Sequence, residues 1–117
     1  MKYPDIKRIL VARTDKIGDV ILTLPVIANL RIAYPDAHIA FLAAEYARKV
    51  LEGNPNLNDI ILYEPEGKHK GLGGLLELTK LLEENKFDVI VIVFPVFKVV
   101  FAAFLAQIAV RIGVGMR

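Results

Sequence analysis

Ala12-Arg13-Thr14-Asp15-Lys16-Ile17-Gly18-Asp19-Val20-Ile21-Leu22-Thr23-Leu24-Pro25 decides the fold of this chain, because three kinds of sequence meet there. Just upstream, Arg8-Ile9-Leu10-Val11-Ala12 is a short apolar run that reads as a buried strand, and downstream Val20, Ile21, Leu24, Ile27, Ala28 and Leu30 recur at helical spacing. Between them lies a polar loop carrying Arg13, Asp15, Lys16 and Asp19. Strand, loop and helix in that order open an α/β unit. In open parallel sheets ligands bind outside the carboxyl ends of the strands, beside the helix N-termini that follow. Gly18 is expected to let the backbone turn tightly there, and Asp19 falls where an N-cap or first-turn acid is favoured by unpaired amides and the helix dipole.

Working outward, Pro25 predicts a bend in the first helix, the alternative being a short turn at Asp19 to Leu22 followed by a fresh start capped by Thr23. Tyr34-Pro35-Asp36 ends that helix. His38-Ile39-Ala40-Phe41-Leu42 reads as the second strand, Glu45 to Leu51 as a short helix stopped by Gly53-Asn54-Pro55, and Ile60-Ile61-Leu62-Tyr63 as the third strand. From Glu64 to Gly74 the composition shifts to Gly, Pro, Lys and Glu, which predicts a mobile loop over the end of the third strand. Leu75, Leu76, Leu78, Leu81 and Leu82 then give a helix an apolar face over Leu75 to Asn85.

The stretch from Val89 to Val110 carries Lys98 as its one charge and by hydropathy is long enough to span a bilayer. Its composition favours a division: Val89-Ile90-Val91-Ile92-Val93 is β-branched and of strand length, Pro95 marks a break, and Phe97 to Val110 suits a helix. Arg111-Ile112-Gly113-Val114 starts a fifth strand. Strands alternating with helices give an α/β, Rossmann-like three-layer domain with a parallel sheet of about five strands, for which right-handed crossovers permit a doubly wound order such as 3-2-1-4-5. In that order the loops after Ala12 and Val93 flank one crevice.

With 117 residues, 55% of them hydrophobic, the chain makes one domain with a full core. A net charge of +2 argues against nucleic-acid binding, although Lys68, His69 and Lys70 form a local basic spot that either faces an anionic partner or is a solvated loop. There is no cysteine, hence no disulfide or thiolate chemistry. Met1-Lys2-Tyr3-Pro4-Asp5 lacks the apolar core of a signal peptide, which favours the cytoplasm.

Few motifs compete with the first loop. Gly71-Leu72-Gly73-Gly74 hints at a dinucleotide fingerprint, but it follows a long loop, Leu76 holds the third glycine position, and a flexible lead into a helix explains it better. Phe87-Asp88-Val89-Ile90-Val91-Ile92-Val93-Phe94-Pro95 has the rhythm of a receiver-domain strand without the acceptor aspartate at its end. His38 and His69 are far apart, no cluster has metal-ligand spacing, and no Asp-x-Asp pair occurs, so neither a metal nor another cofactor is expected. Asp19 is the strongest candidate: a carboxylate at the mouth of a crevice can take the proton from an attacking hydroxyl, and its position alone fits a plain helix cap equally well.

Arg13-Thr14-Asp15-Lys16-Ile17-Gly18-Asp19-Val20, with Thr23-Leu24-Pro25, Tyr34-Pro35-Asp36, Asn54-Pro55 and Arg111-Ile112-Gly113, resembles the N-terminal half of a family 9 glycosyltransferase, the bacterial heptosyltransferases of the lipopolysaccharide inner core. The resemblance covers nearly the whole chain. It implies one half of a two-domain GT-B enzyme, in which residues 1–117 form the acceptor-side domain and a C-terminal domain, absent here, binds an ADP-heptose donor. It implies that Asp19 is the catalytic base of a metal-independent, inverting transfer to an anionic, lipid-linked sugar acceptor. Lys16, Gly18, Lys68, His69, Lys70 and Lys98 are then expected around that substrate. Family members commonly carry Asp and Gly after the fourth strand, where this chain has Ile92-Val93-Phe94-Pro95. A lone half is expected to have no turnover, to self-associate through apolar surface left uncovered, and to sit in the cytoplasm with peripheral contact at the inner membrane. The competing expectation is a non-catalytic module that binds anionic glycan or lipid through Lys68, Lys70 and Lys98, and a third is a membrane anchor at Val89 to Val110.

Overall fold

The computed structural model describes residues 6–14, 17–93, 97–108 and 110–113. Strands β1 (Arg8–Ala12), β2 (His38–Ala43), β3 (Asp59–Leu62), β4 (Val89–Ile92) and β5 (Val110–Gly113) alternate with helices α1 (Ile17–Ala33), α2 (Arg48–Leu51), α3 (Gly71–Asn85) and α4 (Phe97–Leu105). A 3-10 turn over Glu45–Ala47 leads into α2. The strands form one sheet in the order β3-β2-β1-β4-β5, parallel at every pairing, the doubly wound order that the sequence permits.

The two-residue period of β1 sorts the core into two layers. Leu10 and Ala12, with Ala40, Leu42, Ile90 and Ile92, pack against Leu78 and Leu82 of α3 and Val99, Ala102 and Ala103 of α4. Val11, Phe41 and Ala43 face the other way, onto Val20 and Ile27 of α1 and onto Ala47 and Leu51. Both faces of β1 are covered, which is why its run is continuously apolar instead of alternating.

Two open alternatives are decided and one boundary moves. Pro25 lies inside an unbroken α1, so no second helix begins at Thr23. Thr23 is buried and its hydroxyl donates to the Asp19 carbonyl at 3.0 Å, a bond one turn back along the same helix. Helix α3 begins at Gly71, four residues earlier than its leucine face suggests, because Gly71 adopts a φ of 64° that a glycine holds without strain. The stretch Val89 to Val110 divides into β4, α4 and the start of β5, and among the described residues no helix is long and apolar enough to cross a membrane.

The amino-terminal edge of the sheet is pinned by polar groups. The Asp88 carboxylate accepts the backbone N–H groups of Lys7 and Arg8 at 2.8 and 2.9 Å, fixing the start of β1 against β4. Arg31, in the last turn of α1, donates to the carbonyls of Pro35, Ala37 and Asn56 and to Oδ1 of Asn58, which in turn accepts the Ile39 N–H. One guanidinium thus joins the turn before β2 to the turn before β3.

Candidate functional site at the carboxyl end of the sheet

Beyond Ala12 the β1 backbone is held from both sides. The Arg13 N–H donates to the Leu42 carbonyl at 3.1 Å, and the Val93 N–H donates to the Ala12 carbonyl at 2.9 Å. This extends the ladders to β2 and β4 by one residue and sets the direction in which the Arg13 side chain leaves. Asp19 sits in the first turn of α1, inside the helix and not at its N-cap. Its Oδ1 lies 3.8 Å from a guanidinium nitrogen of Arg13, with the carboxylate 38% exposed and the Arg13 side chain 18%. An ion pair at that distance leaves lone pairs of the carboxylate open to solvent, so the group can still accept a proton from an incoming molecule. Arg13 was not singled out in the sequence as a site residue; its signal was its place one residue beyond the strand. Lys16 lies outside the described residues, and so do Phe94 and Pro95.

Gly18 does not make a tight turn. It is the second residue of α1, its φ is not in the left-handed region, and a Cβ built on it meets nothing within 4 Å.

The basic spot at Lys68, His69 and Lys70 is taken apart by the fold. Residues 64–70 form a compact turn in which the His69 N–H donates to the Glu64 carbonyl at 2.9 Å and the Lys70 N–H to the Gly67 carbonyl at 3.1 Å. His69 itself is buried, 1% exposed, and its ring stacks on Tyr63 at 5.6 Å between centroids. Nδ1 accepts the Glu64 N–H at 2.9 Å, which leaves the ring proton on Nε2. Burial, reinforced by the Lys68 charge, pushes the His69 pKa below 6.5. The side chain expected as a surface cation is therefore a neutral core group, and the expected mobile loop is a tied one.

Lys98 is likewise engaged: its ammonium, reaching from the first turn of α4, donates to the His69 carbonyl at 2.8 Å. Lys68 stands 3.4 Å from the Glu64 carboxylate at the surface, and Lys70 is exposed. A lysine-only binding face built from Lys68, Lys70 and Lys98 is thus reduced to its two loop members. Among the described residues no group of three or more His, Asp or Glu side chains is arranged to hold a metal ion.

No family model matches the chain. Over 78 residues it is 37% identical to a lipopolysaccharide heptosyltransferase 3 of Escherichia coli, a match that takes in 63% of this chain and 22% of that protein. It superposes over 97% of its length on a glycosyl transferase family 9 structure from Veillonella parvula DSM 2008, with a TM-score of 0.83 and 30% identity, covering 34% of that chain. The chain is glycosyltransferase family 9-like. An Escherichia coli ADP-heptose lipopolysaccharide heptosyltransferase II shares the fold, with a TM-score of 0.72 and 23% identity over 92% of this chain and 30% of its own. The family 9-like chain thus spans about a third of the solved structures it resembles, and its matched segment about a fifth of the curated relative.

Within this chain the residues that carry the resemblance do not share one role. Tyr34-Pro35-Asp36 and Asn54-Pro55 belong to the turns that Arg31 ties together at the amino-terminal edge of the sheet. Arg13 and Asp19 lie at the opposite edge, the Asp19 carboxylate 38% exposed.

Proposed function

We propose that residues 1–117 are the acceptor-side half of a family 9 glycosyltransferase that transfers heptose from an ADP-heptose donor to a lipopolysaccharide inner-core acceptor, with Asp19 as the general base. The donor-binding domain then lies outside these residues. The reading is carried by one observation: a solvent-open carboxylate in the first turn of α1, 3.8 Å from the Arg13 guanidinium, at the end of β1 where β1 and β4 run side by side. Crossovers leave β1 and β4 in opposite directions from this point, the position where parallel sheets open a crevice.

In the proposed reaction the acceptor hydroxyl attacks the anomeric carbon of the heptose. The new C–O bond forms as the bond to the ADP phosphate breaks from the opposite side, so the configuration inverts, and the hydroxyl proton passes to the Asp19 carboxylate. ADP leaves with the bonding pair. Arg13, 3.8 Å away, positions the carboxylate for the incoming proton. Lys70 and Lys68, on the tied loop beyond β3, supply positive charge toward an anionic acceptor, a part also assigned to Lys16. His69 and Lys98 act one step back, by fixing that loop.

The test is Asp19→Asn in the full-length transferase, assayed for heptosyl transfer from ADP-heptose. General-base catalysis contributes about 10²- to 10⁴-fold, so kcat should fall by that factor while the thermal midpoint stays put. A fully active Asp19→Asn enzyme would remove Asp19 from the mechanism.

A further inference from the structure

The helices do not cover the sheet evenly. On the face that holds Leu10 and Ala12, α3 and α4 lie over β1 and β4. On the face that holds Val11, α1 and α2 pack on β1 and β2. The registers carry this second face onward, from Ile9 and Val11 through Val89 and Val91 of β4 to Val110 and Ile112 of β5. Among the described residues, what α1 sets beside these strands is Leu30, with Tyr34 just beyond its end. Val110 is half-buried and Ile112 is 44% exposed. Parallel sheets are covered on both faces, and the β-branched side chains that β4 and β5 turn to this side suit a covered one.

The uncovered corner is concave. Val89, Val91, Val110 and Ile112 form the floor of a slot of about 140 Å³, Leu30 and Tyr34 stand at its side, and no charged side chain lines it. Nothing there holds a phosphate or a carboxylate, and an apolar cavity of this kind takes apolar groups in preference to water. What fits is an apolar ridge, such as one face of an amphipathic helix.

Two observations choose the source of that ridge. In a two-fold pair of these chains slot would face slot and neither would be filled, whereas such a contact needs a self-complementary surface. The family 9 structure that superposes on 97% of this chain has 34% of its own length in the match, so most of a transferase of this kind lies outside the residues described. A segment of the same polypeptide also reaches the slot at high effective concentration.

We infer that the slot over β4 and β5 is the docking site of an amphipathic helix supplied by the same polypeptide outside residues 1–117. The inference rests on the proposed reading of this chain as one part of a longer transferase, and it does not depend on Asp19. Docked there, the helix holds β5 against β4 from the side opposite α4 and ties the remainder of the transferase to the sheet whose far edge carries the carboxylate.

Hydrogen–deuterium exchange by mass spectrometry on the full-length transferase tests it, with wild type, Ile112→Ala and Ile112→Asp compared and the oligomeric state measured alongside. Ile112→Ala keeps the test open should the aspartate variant fail to fold. Each variant should speed exchange about 10-fold or more at residues 110–112 and in one helical segment outside residues 1–117. Faster exchange confined to residues 1–117, or no change at all, would overturn the inference. So would a full-length dimer that Ile112→Asp turns into a monomer, because the occupant would then be a second copy. The outcome is independent of the Asp19→Asn assay: an active Asp19→Asn enzyme would remove the base and leave the docking site standing.

Discussion

Gly74→Ala is the substitution for which the structure gives the sharpest expectation. A Cβ at Gly74 would stand 1.9 Å from the His69 carbonyl carbon, 2.1 Å from its oxygen and 2.5 Å from its Cα, all backbone atoms that no rotamer change can move. Restoring an ordinary contact of 3.4 Å means shifting the turn or the start of α3 by about 1.5 Å. Four hydrogen bonds of 2.8–2.9 Å cross that junction: Gly74 N–H to the Lys70 carbonyl, His69 N–H to the Glu64 carbonyl, Glu64 N–H to His69 Nδ1, and the Lys98 ammonium to the His69 carbonyl. A neutral bond contributes about 0.5–1.5 kcal/mol net and a charged one about 1.5–3. Losing about half of them on top of an overpacking cost of about 1–3 kcal/mol gives a destabilisation of about 3–5 kcal/mol. For a domain of this size that lowers the thermal midpoint by about 12–20 °C. Urea unfolding followed by far-ultraviolet circular dichroism, with a thermal melt alongside, reads it directly. Gly73→Ala is the control, since Gly73 is an exposed helical residue with open space at its Cβ position and should melt at or above the wild-type midpoint. A Gly74→Ala protein melting within about 2 °C of wild type would refute the close approach on which the account of this loop depends.

The other perturbations test the opposite edge and the buried rings. Arg31→Ala removes the donor to four backbone carbonyls and Asn58 and should cost about 2–4 kcal/mol; Arg31→Lys should recover little of it, because one ammonium lacks the planar fork that reaches both turns. An unchanged urea midpoint for Arg31→Ala would contradict that reading. His69 and His38 both have pKa values lowered by burial, with Lys68 next in effect on the first and Arg8 on the second. Between their lowered folded values and the unfolded 6.5 the unfolded chain binds the extra protons, so stability is full above pH 6.5 and declines as pH falls below it. The slope is at most about 1.4 kcal/mol per pH unit for each ring. Urea midpoints at pH 7.5 and 5.5 measure it, and a stability that rises on acidification over that interval would show the sign to be wrong.

Much of the fold was legible because its determinants are local and periodic. The apolar run at Ile9 to Ala12, the helical spacing from Val20 to Leu30 and the strand-length run from Val89 gave the alternation of elements, and the right-handed crossover rule then permitted the strand order without dictating it. Pairwise tertiary facts were not legible. His69 looks like a surface cation beside two lysines; only the fold brings Tyr63 against its ring and Lys98 to its carbonyl. Gly71-Leu72-Gly73-Gly74 looks like flexible lead-in sequence; two of its glycines in fact answer two different constraints, a left-handed φ and a backbone contact. Gly18 errs in the opposite direction, since the turn it seems made for is an ordinary helical residue.

The division of the resemblance between the two edges of the sheet has a consequence for how the site works. Arg31 and Asp88 order the amino-terminal edge, and the registers they fix are carried along β1, β2 and β4 to the carboxyl end, where the ladders from Ala12, Leu42 and Ala43 set the directions of the loops. Lys98 then links α4 to the turn beyond β3, and the neutral His69 ring fills the space beneath that turn. If His69 were charged, its buried ring would have to give up the Glu64 N–H or be drawn toward solvent, and Lys70 would lose its platform. A turn ordered in advance by a neutral ring and a lysine gives up little conformational freedom when a ligand arrives. The buried, neutral histidine thus orders the turn whose backbone carries Lys70.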